Sequence, residues 1–433
     1  MKYIVIVLTL FILSGCGGSS SGDVDVSTPQ NPLFDSLEVG LVGKSYRFES
    51  LSGDAIFMSV NDLLLDDNLV ENSRYQEIKN FDPWAFSQLH KYVKKSKFII
   101  FWIVPGWQEN WFHIEEIQTL IDEGYVPVFN YWYFGDHLIY GLPDVNQQEA
   151  YKEDAVRVSA LLSQLEGEKM VVLEPEFNKN IIVKDAQTQH QFASILKGAI
   201  TQLRAENEDL LIGLSMMDTG KRDARVVDTC GYDNCALGDK TAWEKPEIIF
   251  NDLLSGLDFV AFNQALASFS RDYDNPGGWD SPNPRIYSND ELGVEYFAQR
   301  MVNLTRYLKE KYHRAVFLPY IGIATATWND TSMNGEVDPW EINKNGWNYM
   351  AGNIYRSLKE QHSALEDAGL FGYAPMALFD DPRHDYGGYQ YFMNNEYHLG
   401  IVATSAVDEY SMAADGNLSF KSDILESLFG SVE

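Results

Sequence analysis

Lys169-Met170-Val171-Val172-Leu173-Glu174-Pro175-Glu176-Phe177-Asn178 is an apolar, β-branched run that ends in two acids. Side chains alternate along a strand, so Val172, Glu174 and Glu176 are expected on one face. A strand that is apolar on both faces belongs to a sheet covered on both sides, which is the habit of parallel α/β sheets. Stretches 55–60, 98–105, 126–132, 211–217, 259–265, 316–323 and 371–379 read as strands of the same kind as 170–176. Between them lie amphipathic helical patterns at 84–94, 114–122, 148–165, 188–203, 246–254, 291–312 and 346–368. About eight alternations of strand and helix predict an α/β protein built as one closed (β/α)₈ TIM barrel. A two-lobed solute-binding arrangement is the alternative topology.

In such a barrel the chemistry sits at the carboxyl ends of the strands. Those ends are rich here. In chain order they offer Asn61 and Asp62, then Trp107, then Asn130 and Trp132 followed by Asp136, then Glu174, Glu176 and Asn178. The later strands end in Ser215 and Asp218, in Asn263 and Gln264, in Tyr320 with Trp328 beyond it, and in Asp380 and Asp381. Aromatic faces beside carboxylates and amides suit a sugar, whose C–H faces stack on rings while its hydroxyls need paired donors and acceptors.

The barrel order, the acidic pair at the fourth strand and the aromatic lining resemble the large class of (β/α)₈ glycoside hydrolases. Glu174-Pro175-Glu176 is similar to the acid-x-Glu ending of that strand in family 18 chitinase-like and family 25 lysozyme-like enzymes. The resemblance implies a glycosidase acting on a poly- or oligosaccharide, with Glu176 as general acid and Glu174 as its helper. Glycosidic cleavage needs one protonated carboxyl and a second group that stabilises or attacks the anomeric carbon. Glu174, Asp218, Asp380 and Asp381 are the candidates for the second group. Trp107, Asn130, Trp132, Asn178, Asn263, Gln264, Tyr320, Trp328 and Asp381 are the expected substrate contacts. A non-catalytic glycan-binding lipoprotein is the competing reading. No phosphate loop, dinucleotide fingerprint, Gly-x-Ser-x-Gly elbow or metal-ligand spacing is present, so neither cofactor nor metal is expected.

At the N-terminus, Met1 and Lys2 precede an apolar stretch, and Leu13-Ser14-Gly15-Cys16 resembles the bacterial lipobox. This implies a signal peptide over 1–15, diacylglycerol on the Cys16 thiol, a Gly/Ser/Thr/Pro-rich flexible linker over 16–32 and the barrel over 33–433. The expected location is the bacterial cell envelope, with Gly17 after the Cys leaning toward the outer membrane and the lipid as the only membrane contact. Cys230 and Cys235 are expected to form a disulfide, the default for such a pair in an exported protein. The chain carries 63 acidic against 33 basic side chains, a formal charge of −30, and that field opposes nucleic acid as a partner.

Overall fold

The computed structural model describes residues 31–42, 83–207, 209–218, 240–269, 291–328, 347–379, 399–404, 418–421 and 424–431. Eight strands close into one barrel in which each is parallel to its neighbours. They are β1 (Glu38–Val42), β2 (Phe98–Ile103), β3 (Val126–Tyr131), β4 (Met170–Leu173), β5 (Leu211–Met217), β6 (Phe259–Phe269), β7 (Ala315–Trp328) and β8 (Leu370–Pro375). The helices between them are α1 (Pro83–Val93), α2 (Ile114–Asp122), α3 (Val145–Leu162), α4 (Ala186–Ala205), α5 (Glu247–Leu253), α6 (Glu291–Tyr312), α7 (Trp347–Glu360) and α8 (His362–Ala368). Every residue of β2, β3, β4 and β8 is buried, as expected for strands covered on both faces.

The apolar residues form two cores. One lies between barrel and helices, and the other fills the barrel. Along β2 and β3 the assignment alternates strictly: Phe98, Ile100, Trp102, Val126 and Val128 point inward, while Ile99, Phe101, Phe129 and Tyr131 point outward. The amino-end floor of the barrel is aromatic, with Phe98, Phe259, Phe317 and Phe371 in mutual ring contact and Phe34 closing them from below. Gly213 makes room for that packing, because a Cβ there would come within 2.1 Å of the Phe259 ring. Among the described residues this floor closes the amino end of the barrel, which leaves the carboxyl end for a site.

Polar caps fix where helices begin. Asp144 and Gln147 form a reciprocal capping box at the start of α3, and Asp185 accepts from the Thr188 N–H at the start of α4. Each such cap is worth about 1 kcal/mol. Beyond β8 the chain adds β9 (Ala377–Phe379), which joins β10 (Gly400–Thr404) and β11 (Leu418–Phe420) in a small sheet. The last helix, α9 (Ile424–Phe429), packs on α7.

Several sequence expectations need correction. The first barrel strand is Glu38–Val42, upstream of 55–60, and 55–60 with Asn61 and Asp62 lies outside the described residues. The fourth strand stops at Leu173 rather than running through Glu176. The helical stretch expected as one over 346–368 is two helices, divided by a turn at Gln361. In β7 one residue is added between Leu318 and Ile321, where the register to both β6 and β8 slips. Pro319 lies inside that interval and has no N–H to give the ladder, so a bulge there loses less pairing than elsewhere.

Candidate active site

The acidic pair sits in a tight turn. Phe177 N–H donates to the Glu174 carbonyl at 3.0 Å, closing Glu174-Pro175-Glu176-Phe177. Proline favours the second position of a type II turn, and the third demands positive φ, which Glu176 adopts at 69°. Glu174 is also left-handed, at φ 36°. Strand alternation therefore ends at Leu173, and the two glutamates face opposite ways.

Glu176 faces the barrel mouth. The Tyr320 hydroxyl donates to its Oε1 at 2.5 Å, and Lys179 Nζ donates to its Oε2 at 3.0 Å. Lys179 is shared: it also reaches Asp136 Oδ1 at 3.0 Å. Burial alone would lower the Lys179 ammonium, but Glu176 and Asp136 outweigh it and hold the group well above its ordinary value. A charged lysine thus stands between two carboxyl groups whose facing oxygens lie within about 6 Å, two hydrogen-bond lengths, of one another.

The Tyr320 hydroxyl is wired from below. Its one proton goes to Glu176, so it must accept from Asn263 Nδ2, which lies 2.7 Å away. That fixes the Asn263 amide, whose Oδ1 takes the Ser215 hydroxyl at 3.2 Å. Asn263 and Tyr320 are buried, so they orient Glu176 from beneath rather than forming an open surface. The β7 bulge makes this possible, because it turns Tyr320 inward between the outward-facing Leu318 and Ile321. Tyr320 packs against Trp102, with ring centroids 5.1 Å apart, and Trp132 lies 6.1 Å from Trp102. Gly135, at φ 52°, lies so close to the Trp132 ring that a Cβ would be 3.2 Å from it.

Glu174 points the other way and is fully buried. Its carboxyl accepts from the N–H of Tyr133 at 3.1 Å and of Phe134 at 3.2 Å, and it lies beside Tyr151 of α3. Burial pushes it up to about 8, against the pull of those backbone donors. The expectation that both acids share one wall is therefore wrong, because the shared parity holds only while the chain remains a strand.

Asp218 is also misplaced as a catalytic group. It is fully buried on the outward face of β5, bound bidentately by Arg300 of α6 at 2.7 Å twice, and it accepts from Trp243 Nε1 at 3.1 Å and Gln264 Nε2 at 2.5 Å. Gln264 consequently serves Asp218 and not the cavity. Trp107 is packed between barrel and helices, with its indole N–H on Asp154 at 3.0 Å and Arg157 over its ring at 4.4 Å. Asn178 is a backbone clamp, donating to the Met217 carbonyl at 2.9 Å and accepting from its N–H at 2.8 Å. Asn130 faces the lumen but is fully buried, level with Trp102 and Val172 and with neither amide atom partnered among the described residues. The side chain of Trp328, together with Asp380, Asp381, Cys16, Cys230 and Cys235, lies outside the described residues.

Lys179 and Trp102 were missed, and Asp136 and Ser215 were noticed only as strand-end residues. Lys179 was legible as the third residue after Glu176 in the same loop, and Trp102 by its parity with Phe98 and Ile100. As it stands, Glu176 accepts at both oxygens. It can act as base or nucleophile directly, and as an acid once Oε2 takes a proton while Lys179 keeps Asp136 as its partner.

Neither a protein-family model nor a curated protein matches this sequence. Among solved structures, the family 1 β-glucosidase of Thermotoga maritima aligns at 14% identity and a TM-score of 0.46, covering 93% of this chain and 99% of that one. A hyperthermophilic β-glucosidase mutant aligns at 12% identity and a TM-score of 0.48, over 92% and 100% of the two chains. A GH5_18 enzyme of Bifidobacterium longum subsp. longum aligns at 12% identity and a TM-score of 0.45, over 91% and 77%. Each of these is a likeness along the chain as a whole and not one of site residues.

Proposed function

We propose that this chain is a glycoside hydrolase for poly- or oligosaccharides in which Glu176 is the catalytic carboxyl. The observation that carries the reading is the placement of Glu176: a carboxyl at the barrel mouth, in a turn position that favours glycine, gripped by Lys179 and by Tyr320, whose ring packs against Trp102 and through it Trp132. A non-glycine side chain at a strained backbone position is a pointer to function. Aromatic rings beside a carboxyl suit a sugar bound by stacking and attacked at one bond. Of the acids considered as partners for Glu176, Glu174 and Asp218 are committed elsewhere, and Asp136 is the described carboxyl nearest by connection.

That same commitment favours one rival, a glycan-binding protein that retains the aromatic cleft and does not cut. The closed single barrel disfavours the two-lobed solute-binding alternative. Glu176→Gln decides between hydrolase and binder. Assayed on a panel of 4-nitrophenyl glycosides and on polysaccharides by reducing-end release, turnover should fall by about 10² to 10⁴ while glycan binding survives. Binding without turnover in the parent chain would establish the binder instead.

A further inference from the structure

We propose that Glu174 is a positioning residue: it holds the exit of β3 from outside, so that Trp132 and Asp136 are presented to Glu176. The inference rests on the reading of Glu176 as the catalytic carboxyl. At the β3 exit, Tyr131 points outward and its hydroxyl donates to Asp154 at 2.9 Å. The N–H groups of Tyr133 and Phe134 point outward to the Glu174 carboxyl. Trp132 lies between these outward anchors and is directed inward, with Gly135 close against its ring. One residue after Gly135, Asp136 meets Lys179, and Lys179 meets Glu176. One turn therefore carries two acids with divided tasks. Glu176 faces the cavity, and Glu174 grips the neighbouring loop that completes the surroundings of Glu176.

Buried N–H groups that lose their acceptor are costly, so removing the Glu174 carboxyl should release the loop rather than leave it in place. A direct catalytic role and a positioning role make opposite demands on Glu174→Gln. Glutamine retains one acceptor oxygen, which can serve both N–H groups because Tyr133 and Phe134 already share Oε1 at 3.1 and 3.4 Å, but it has no transferable proton.

The test is amide hydrogen exchange on the full chain with no ligand, paired with turnover of 4-nitrophenyl glycosides. In Glu174→Ala, protection at Tyr133 and Phe134 should drop at least about tenfold while β2 and β5 keep theirs. Turnover should fall more than KM changes, and Glu174→Gln should recover both protection and turnover to within a few-fold of the parent. Asp136→Asn, which leaves the Glu174 bonds intact, should keep the protection and reproduce the loss of turnover. The proposal is overturned if Glu174→Ala leaves that protection unchanged, if its protection falls equally throughout the barrel, or if Glu174→Gln is as damaging as alanine. A parent chain inert on every glycoside counts against Glu176 as a catalytic carboxyl, and the exchange arm still decides the role of Glu174.

Discussion

Two residues apart, Glu174 and Glu176 show how far backbone geometry governs chemistry. With Pro175 between them and positive φ on both, one carboxyl is committed to backbone donors in a dry layer and the other to a tyrosine and a lysine at a cavity. Glu174 has a measurable signature. Its carboxyl is pushed up to about 8, whereas in the unfolded chain it titrates near 4.3, so between these values the folded form holds the extra proton. Stability from this group is fully present below about pH 4.3 and is lost as pH rises toward 8, with a slope of up to about 1.4 kcal/mol per pH unit. Denaturant unfolding across that range should show the decline, and Glu174→Gln should flatten it. An unchanged slope in that variant would assign the pH dependence to other groups. None of this was legible from alternation alone, because parity counted from Val172 places Glu174 inward and the strand ends one residue too early.

At the scale of elements, most of the fold was readable, and the misreadings have local causes. Strands β2, β3 and β5 were found to within two residues because their apolar runs are bounded by polar turns, whereas β6 and β7 continue to Phe269 and Trp328, past the expected ends at 265 and 323. The first strand was missed because Glu38-Val39-Gly40-Leu41-Val42 is short and contains a glycine. The inward turn of Tyr320 depends on a bulge that a plain alternation count does not include. Asp218 is a different error, since parity was available: Ser215 faces inward, so a residue three further on faces outward. There Asp218 ties α6 to the end of β5 and the middle of β6 through Arg300 and Gln264. Breaking a buried ion pair by removing one partner costs about 3 to 5 kcal/mol. Asp218→Asn is therefore expected to lower the unfolding midpoint strongly, with activity per folded molecule retained. Wild-type stability with abolished turnover would return Asp218 to the catalytic list.

For the whole molecule, the sealed aromatic floor and the polar wiring above it give the barrel a direction. Phe98, Phe259, Phe317 and Phe371 close one end, and the Ser215–Asn263–Tyr320 series leads to Glu176 at the other. The central claim is that the Glu176 carboxyl performs the chemistry, and chemical rescue tests it most directly. Glu176→Gly removes the carboxyl at a position whose φ favours glycine, leaving a space that a small carboxylate can occupy. The variant should remain folded and lose turnover by at least about 10² on a glycoside the parent hydrolyses, and added formate should restore part of that loss in a saturable way. Undiminished turnover in folded Glu176→Gly without formate would contradict the account.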